Sequence, residues 1–201
     1  MKYAKAIFAG LIAVGLLALG LVLKNQADFS RDYVKSQLEA HGITFTAADY
    51  LLPSQKDVPC LVENAGEPLT TGKQAECYAK YQITLDMALI DNGNPYFVTH
   101  YNAYLSDVAK YAAIAADPND PAIPGLIQAS LDAHRKGDDM LAGEATSGLL
   151  LTGYAFSVIG DRLAQAALAC FILAGLALIV GIVLFIRSNR KPAAASSTAS
   201  V

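Results

Sequence analysis

Histidine is scarce in this chain: His41, His100 and His134 are the only three in 201 residues. No two stand close enough in sequence to suggest a metal pair, and no His-Glu-x-x-His spacing occurs, which leaves no helix-borne zinc site in the pattern. Gly-x-Ser-x-Gly, a phosphate loop and a dinucleotide fingerprint are likewise missing. The three cysteines, Cys60, Cys77 and Cys170, include no Cys-x-x-Cys pair, so nothing in their spacing supports a redox motif. Two long runs lack charge altogether, and they hold no ionisable group for a proton relay or ion path. No cofactor is implied and no catalytic residue stands out, so a non-enzymatic role is the expectation.

The longer uncharged run is Leu163 to Ile186, 24 residues without proline, closed by Arg187, Arg190 and Lys191. As a helix it spans roughly 36 Å, enough for a hydrocarbon core of about 30 Å. The other run, Ala6 to Leu23, follows Lys2 and Lys5 and reads as a first membrane helix. A cleaved signal peptide is the competing reading. Against it, the run exceeds the usual apolar core of about 7–15 residues, and its best cleavage site, Asn25-Gln26-Ala27, puts asparagine where a small residue is preferred.

Charge is divided unevenly. All 18 acidic residues but only 10 of the 15 basic ones lie within 24–162, so this middle carries −8 and the two ends carry +5, for a net −3. An acidic middle argues against nucleic acid, which needs a cationic face. Basic flanks at both ends place both termini in the cytoplasm of a multi-pass cell-membrane protein, with the middle outside; that middle exceeds the loops of up to about 60 residues over which the rule counts charge. The expected layout is a cytoplasmic amino terminus at 1–5, transmembrane helix 1 at 6–23 and an extracytoplasmic helical domain at 24–162. Transmembrane helix 2 follows at 163–186, then a cytoplasmic disordered tail at 187–201. The fold class is all-α: two long antiparallel transmembrane helices extending into a small helical domain with one disulfide.

Local signals fill in that domain. No glycine or proline interrupts Leu21 to His41, so the first helix continues outward until Gly42. Ile43-Thr44-Phe45 is the only strand-like piece of the irregular stretch that follows. Thr71 and Gln74 have capping-box spacing, predicting a helix from near Thr71 to about Asp91, with Cys77 in its first turn. In an oxidising compartment Cys60 and Cys77, 17 positions apart, form a structural disulfide, while Cys170 reads as an inert apolar residue. A helix from Tyr96 to about Ala116 carries an aromatic stripe of Phe97, Tyr101, Tyr104 and Tyr111, with Val108 in the same series. Core packing is the plainer reading of this stripe, and an interaction surface for a partner or lipid-like ligand is the sharper one.

Asp117 to Pro121 invites a calcium-loop reading, but the required glycine and acid are replaced by Ala122 and Gln128. No metal is expected there. A short helix from Leu126 to about Arg135 precedes the polar Lys136-Gly137-Asp138-Asp139. The absence of proline between Pro124 and Pro192 lets the last membrane helix begin well before Leu163, through Ala145 to Gly160. Small residues recur at helical spacing on both spans: Gly153, Ser157, Gly160, Ala164 and Ala167 on the last, and Ala6, Gly10, Ala13 and Gly20 on the first. Such faces let helices pack closely in lipid.

The segments Val34-Lys35-Ser36-Gln37-Leu38, Gly42-Ile43-Thr44-Phe45, Gly72-Lys73-Gln74-Ala75-Glu76 and Gly148-Leu149-Leu150-Leu151 together resemble an uncharacterised family of small two-helix actinobacterial membrane proteins. Some of its members carry the label aromatic ring-opening dioxygenase. The resemblance implies an actinobacterial source and a two-span topology, and no agreed activity. The oxygenase label requires two histidines and a carboxylate around one iron, and nothing in this sequence marks such a triad. The expected role is that of a membrane-anchored envelope protein acting through contacts. Its partners would be the lipid bilayer and other membrane or cell-envelope proteins, not nucleic acid. Two alternatives stand beside it: an accessory subunit of a larger membrane complex, and a ligand-binding or enzymatic outer domain near His100, Tyr101 and Tyr104.

Overall fold

A computed structural model describes residues 3–114 and 121–189, with backbone alone at 107–111 and 113–114. The expected turn at Asp117–Asp120, the side chain of Tyr111 and the carboxyl tail from Arg190 therefore lie outside the described residues. The protein is all-α. Among the described residues there is no β-strand, only an isolated bridge between Thr44 and Pro68. Its elements are α1 (Ala4–His41), a 3₁₀ turn (Ala48–Tyr50), α2 (Pro53–Lys56), α3 (Pro59–Glu63), α4 (Gly72–Cys77), a π-helical turn (Tyr78–Ile83), α5 (Thr84–Ile90), α6 (Phe97–Ile114) and α7 (Ile123–Asn189). They form two compact units: one from 1–30 with 159–201, the other from 31–158.

The first unit pairs the apolar parts of α1 and α7 antiparallel. The Tyr3 hydroxyl donates to Asn189 Oδ1 at 2.8 Å, Gly181 lies against Ala9, Gly20 lies under the Phe171 ring, and Gly160 lies against Ala27 and Ser30. The seam has a seven-residue period. Ala6, Ala13, Gly20 and Ala27 on α1 run against Gly160, Ala167, Ala174 and Gly181 on α7. Ala13, Ala27, Ala167 and Ala174 are buried in it. A strict period of seven is the pattern of a left-handed antiparallel coiled coil, here with small residues where knobs would otherwise hold the backbones apart. Both helices are long and apolar enough to cross a membrane, and their most apolar windows are only 11% and 6% buried. A core helix of a soluble domain buries most of such a surface.

The second unit is a small helical core held by a disulfide. α1 ends at Gly42, which adopts φ +61° as the left-handed stop and donates its N–H to the Glu39 carbonyl. Backbone bonds from Phe45 to Glu67 and from Leu69 to Ile43 then tie the irregular segment into a loop. Val34 and Leu38 of α1, Phe45, Leu61 of α3, Leu69, Ile83 at the end of the π-helical turn and Met87 of α5 bury their side chains together with Leu150 of α7. The Phe45 and Tyr78 rings meet edge-on at 5.2 Å. Burial pushes the Tyr78 phenol up, and the nearby Asp86 carboxylate adds to this.

The expected capping box forms: Thr71 Oγ1 accepts from the Gln74 N–H at 3.2 Å, and Gln74 Oε1 accepts from the Thr71 N–H at 3.0 Å. Cys60 and Cys77 are joined by a disulfide with their Cα atoms 6.2 Å apart. Cys77 falls at the end of α4, in its second turn and not its first as the spacing had predicted. Helix then continues to Ile90 through the π turn, which sequence periodicity gave no hint of. The widened turn leaves the Ala79 carbonyl open to side chains, and Thr84 Oγ1 at 3.4 Å and Ser147 Oγ of α7 at 3.3 Å both donate to it.

The separate helix expected over Leu126–Arg135 does not exist. α7 is continuous from Ile123, with Pro124 in its first turn, where the missing N–H costs nothing. The Lys136–Asp139 segment read as a polar turn because it contains glycine and two acids. A single glycine inside a helix costs about 1 kcal/mol, which packing can offset. Gly137 sits against the His100 ring, and Gly143 sits so close to Met87 that an added Cβ would meet its sulfur at 2.8 Å.

Candidate functional site

Three surfaces contain the residues singled out by sequence, and each is built by a different constraint. The first is a cleft between α6 and α7. The turn before α6 uses Asn92 and Gly93 in left-handed conformations, and Asn94 Nδ2 donates to Asp91 Oδ2 at 2.8 Å. This presents Asp91 Oδ1 to His100 Nδ1 at 3.2 Å, while His100 Nε2 donates to the Ala133 carbonyl of α7 at 3.1 Å. His100 is 7% exposed and is thus a strut between the turn and α7. Beside it the Tyr104 hydroxyl and His134 Nε2 share a hydrogen bond at 3.2 Å. Phe97, Tyr101 and Tyr104 stand in sequence along the rim, with ring centroids 5.7 and 6.5 Å apart.

The cleft measures about 180 Å³. A histidine backed by an aspartate is a general-base arrangement, but a base needs a free lone pair facing the substrate. Here both ring nitrogens of His100 are engaged within the fold, so the dyad braces the helices. His134, Asp138 and the hydroxyls of Tyr101 and Tyr104 are polar groups of the cleft that a ligand could reach. Among the described residues no three His, Cys, Asp or Glu side chains come together as a metal-binding group.

Sequence reasoning placed the aromatic stripe in the core first. The structure puts Phe97 and Tyr104 half-buried and Tyr101 45% exposed, outside the hydrophobic cluster. Among the described side chains of α6 the buried one is His100, one position from Tyr101 on the helix. Its partner Asp91 lies nine positions back across a turn, and no periodicity connects the two.

Burial alone would raise the Asp91 carboxyl, yet hydrogen bonds from Asn94 and His100 more than offset this and hold it below its ordinary value. A depressed carboxyl contributes stability above its unfolded value, near about 3.9, and loses it as pH falls through the folded value. Native protein is therefore expected to be more stable than Asp91→Asn at neutral pH. In unfolding titrations that advantage should shrink below about pH 4; a difference constant down to about pH 2 would contradict the linkage.

The second surface is the small-residue face of α7, and the structure divides its members. Gly160 and Ala167 lie in the seam with α1, and Ala164 is half-buried beside them. Ser157 instead packs on Gly72 of α4, where an added Cβ would fall 2.3 Å from its own Cβ. Gly153 is half-buried, but a Cβ added to it would meet nothing within 4 Å. A Cβ is thus excluded at Gly160 and accommodated at Gly153. On α1, Ala13 and Gly20 are buried in the seam, Ala6 lies beside Gly181, and Gly10 faces open space. Sequence missed Ala27, Ala174 and Gly181, which a search for period seven would have found. A prediction follows at the α4 contact: Gly72→Ala should destabilise the protein by about 1–3 kcal/mol. The second change Ser157→Gly should recover most of it, as thermal unfolding of the single and double variants would show.

The third surface lies over the disulfide, where Lys73 and Lys80 of the α4 region flank Glu76. Lys80 Nζ lies 2.6 Å from Glu76 Oε1. The hydrogen bond from Lys80 holds the Glu76 carboxyl below its usual range. The cations there are partly neutralised within the helix, which weakens the surface as an anion site.

No family model, curated protein or solved structure matches this chain.

Proposed function

We propose that the protein is a membrane-anchored envelope protein that acts through contacts and not through catalysis, with both termini in the cytoplasm and residues 24–162 outside. The observation that carries this reading is the exposure of the two apolar helix windows, 11% and 6% buried within the protein. Surface of that kind is stable in hydrocarbon and not in water. Antiparallel pairing brings the start of α1 and the end of α7 to one side, and the five basic residues in the sequence at the two ends favour the cytoplasmic side. A disulfide and an acidic middle suit the opposite, oxidising compartment.

Topology decides the matter experimentally. A fluorescent reporter at the carboxyl terminus should fold and fluoresce, residues in 31–158 should be cut by protease added outside, and alkaline carbonate should not release the protein. Release by carbonate, or protection of the middle from external protease, would overturn the reading.

A ligand-binding role for the outer domain is the second reading. It is favoured by one observation: Tyr101 keeps 45% of its surface exposed beside a cleft that also holds Tyr104 and His134. As an accessory subunit of a larger complex the chain would instead use its exposed span surfaces. Co-purification of a stoichiometric membrane partner in mild detergent would select that version.

A further inference from the structure

The two helices that enclose the outer cleft give it walls of different chemistry. From α6 come the rings of Phe97, Tyr101 and Tyr104, and from α7 come Gly137, His134 and Asp138. Glycine at 137 keeps the space between the helices open, since a Cβ added there would reach the His100 ring at 3.6 Å. His100 is held by Asp91 and the Ala133 carbonyl, while the Tyr104 hydroxyl and His134 Nε2 bond each other. Asp138 differs from these: it is exposed and forms no ion pair among the described residues. The cations just before it on α7 serve other acids, as Arg135 bonds Asp132 and Lys136 acts on Asp91. No Lys or Arg lines the cleft among the described residues. With neutral imidazoles, its one formal charge is therefore negative, and that charge stands among aromatic rings.

We propose that the cleft binds a small organic cation, its ammonium group at the Asp138 carboxylate and its methyl or methylene groups against the rings of Tyr101 and Tyr104. The inference rests on the ligand-binding reading of the outer domain and not on the membrane reading. Charge decides the class. A cation gains from the carboxylate and from the electron-rich faces of the rings. An anion would meet Asp138 with no lining cation to offset it, within a stretch, 24–162, that carries −8. A bare metal ion needs several ligands, and no three His, Cys, Asp or Glu side chains come together among the described residues. Size narrows the class further: about 180 Å³ is less than the roughly 300 Å³ at which pockets for drug-sized molecules begin.

Choline and its uncharged isostere, in which a tert-butyl group replaces trimethylammonium, test this in NMR titrations of the full chain in maltoside micelles. Choline should bind with a millimolar dissociation constant, and the isostere roughly tenfold or more weakly. Asp138→Asn should weaken choline binding roughly fivefold and leave the isostere unaffected. Tyr101→Leu should cost choline roughly two- to fivefold. Asp139→Asn, one position along the chain and not lining the cleft, should change neither. All three substitutions replace exposed side chains, so an unchanged thermal midpoint would report an intact fold. Equal affinity for choline and the isostere would overturn the proposal and leave the ligand-binding reading standing. Equal losses from Asp138→Asn and Asp139→Asn would do the same, because general surface charge would then account for the attraction. If neither compound bound, the proposal and the ligand-binding reading would fall together.

Discussion

With Cys60 and Cys77 both replaced by alanine, the midpoint of thermal unfolding is expected to fall by roughly 10 °C. The crosslink closes a loop of 17 positions, and in the chain-entropy account such a closure stabilises a fold by about 3 kcal/mol. The effect should approach that figure here because the elements inside the loop cannot hold themselves. α3 has only five residues, far fewer than the dozen or so that an isolated helix needs in water. Its anchor Leu61 is fully buried beneath the disulfide-linked end of α4. Reductant added to the native protein should shift the midpoint in the same direction. Cys170→Ala should leave it unchanged, since Cys170 is a free, half-buried thiol on α7. A shift below about 2 °C for the double variant would show that the loop is held closed by packing alone.

Gly160→Leu should be nearly as damaging. An added Cβ would come within 3.2 Å of the Ser30 side chain and 3.4 Å of the Ala27 carbonyl oxygen. The first can rotate, but the second is backbone, and leucine adds three further carbons beyond the Cβ. Overpacking of this kind costs about 1–3 kcal/mol, which lowers the midpoint by roughly 5 °C in a chain of this size. Gly153→Leu is the matched control, because nothing stands within 4 Å of its Cβ. The stripe read from sequence treats the two glycines alike, so equal losses would mean that the seam continues past Gly160.

Features set by local chemistry were legible before the structure. The Thr71–Gln74 box, the stop at Gly42 and the Cys60–Cys77 pair each depend on residues whose backbone or covalent preferences act within a few bonds or under one constraint. What could not be read depends on distant neighbours. Gly137 reads as a turn until His100 is seen to lie against it. The π turn at Tyr78–Ile83 is stabilised in part by Ser147, which is 64 positions beyond it in the chain. The aromatic stripe of α6 gave the right spacing and the wrong neighbour: its helix turns His100 inward because Asp91 and the Ala133 carbonyl are there to receive it. A stripe identifies a face and says nothing of what the face meets.

The heptad seam leaves one problem that its own regularity creates. Two ribbons with the same seven-residue repeat match equally well after one slides past the other by a full repeat, as the scales of a vernier coincide more than once. Alanine and glycine are too alike to penalise such slippage. Phe171 breaks the degeneracy. Its ring lies over Gly20, where a single methyl group would come within 2.6 Å of it. A slide of one repeat in either direction would carry the ring onto Ala13 or Ala27, and each has that methyl. One bulky side chain facing the one glycine of its row on α1 acts as a key, and it adds to the contacts of Gly160 and Tyr3 in fixing the alignment of the two spans.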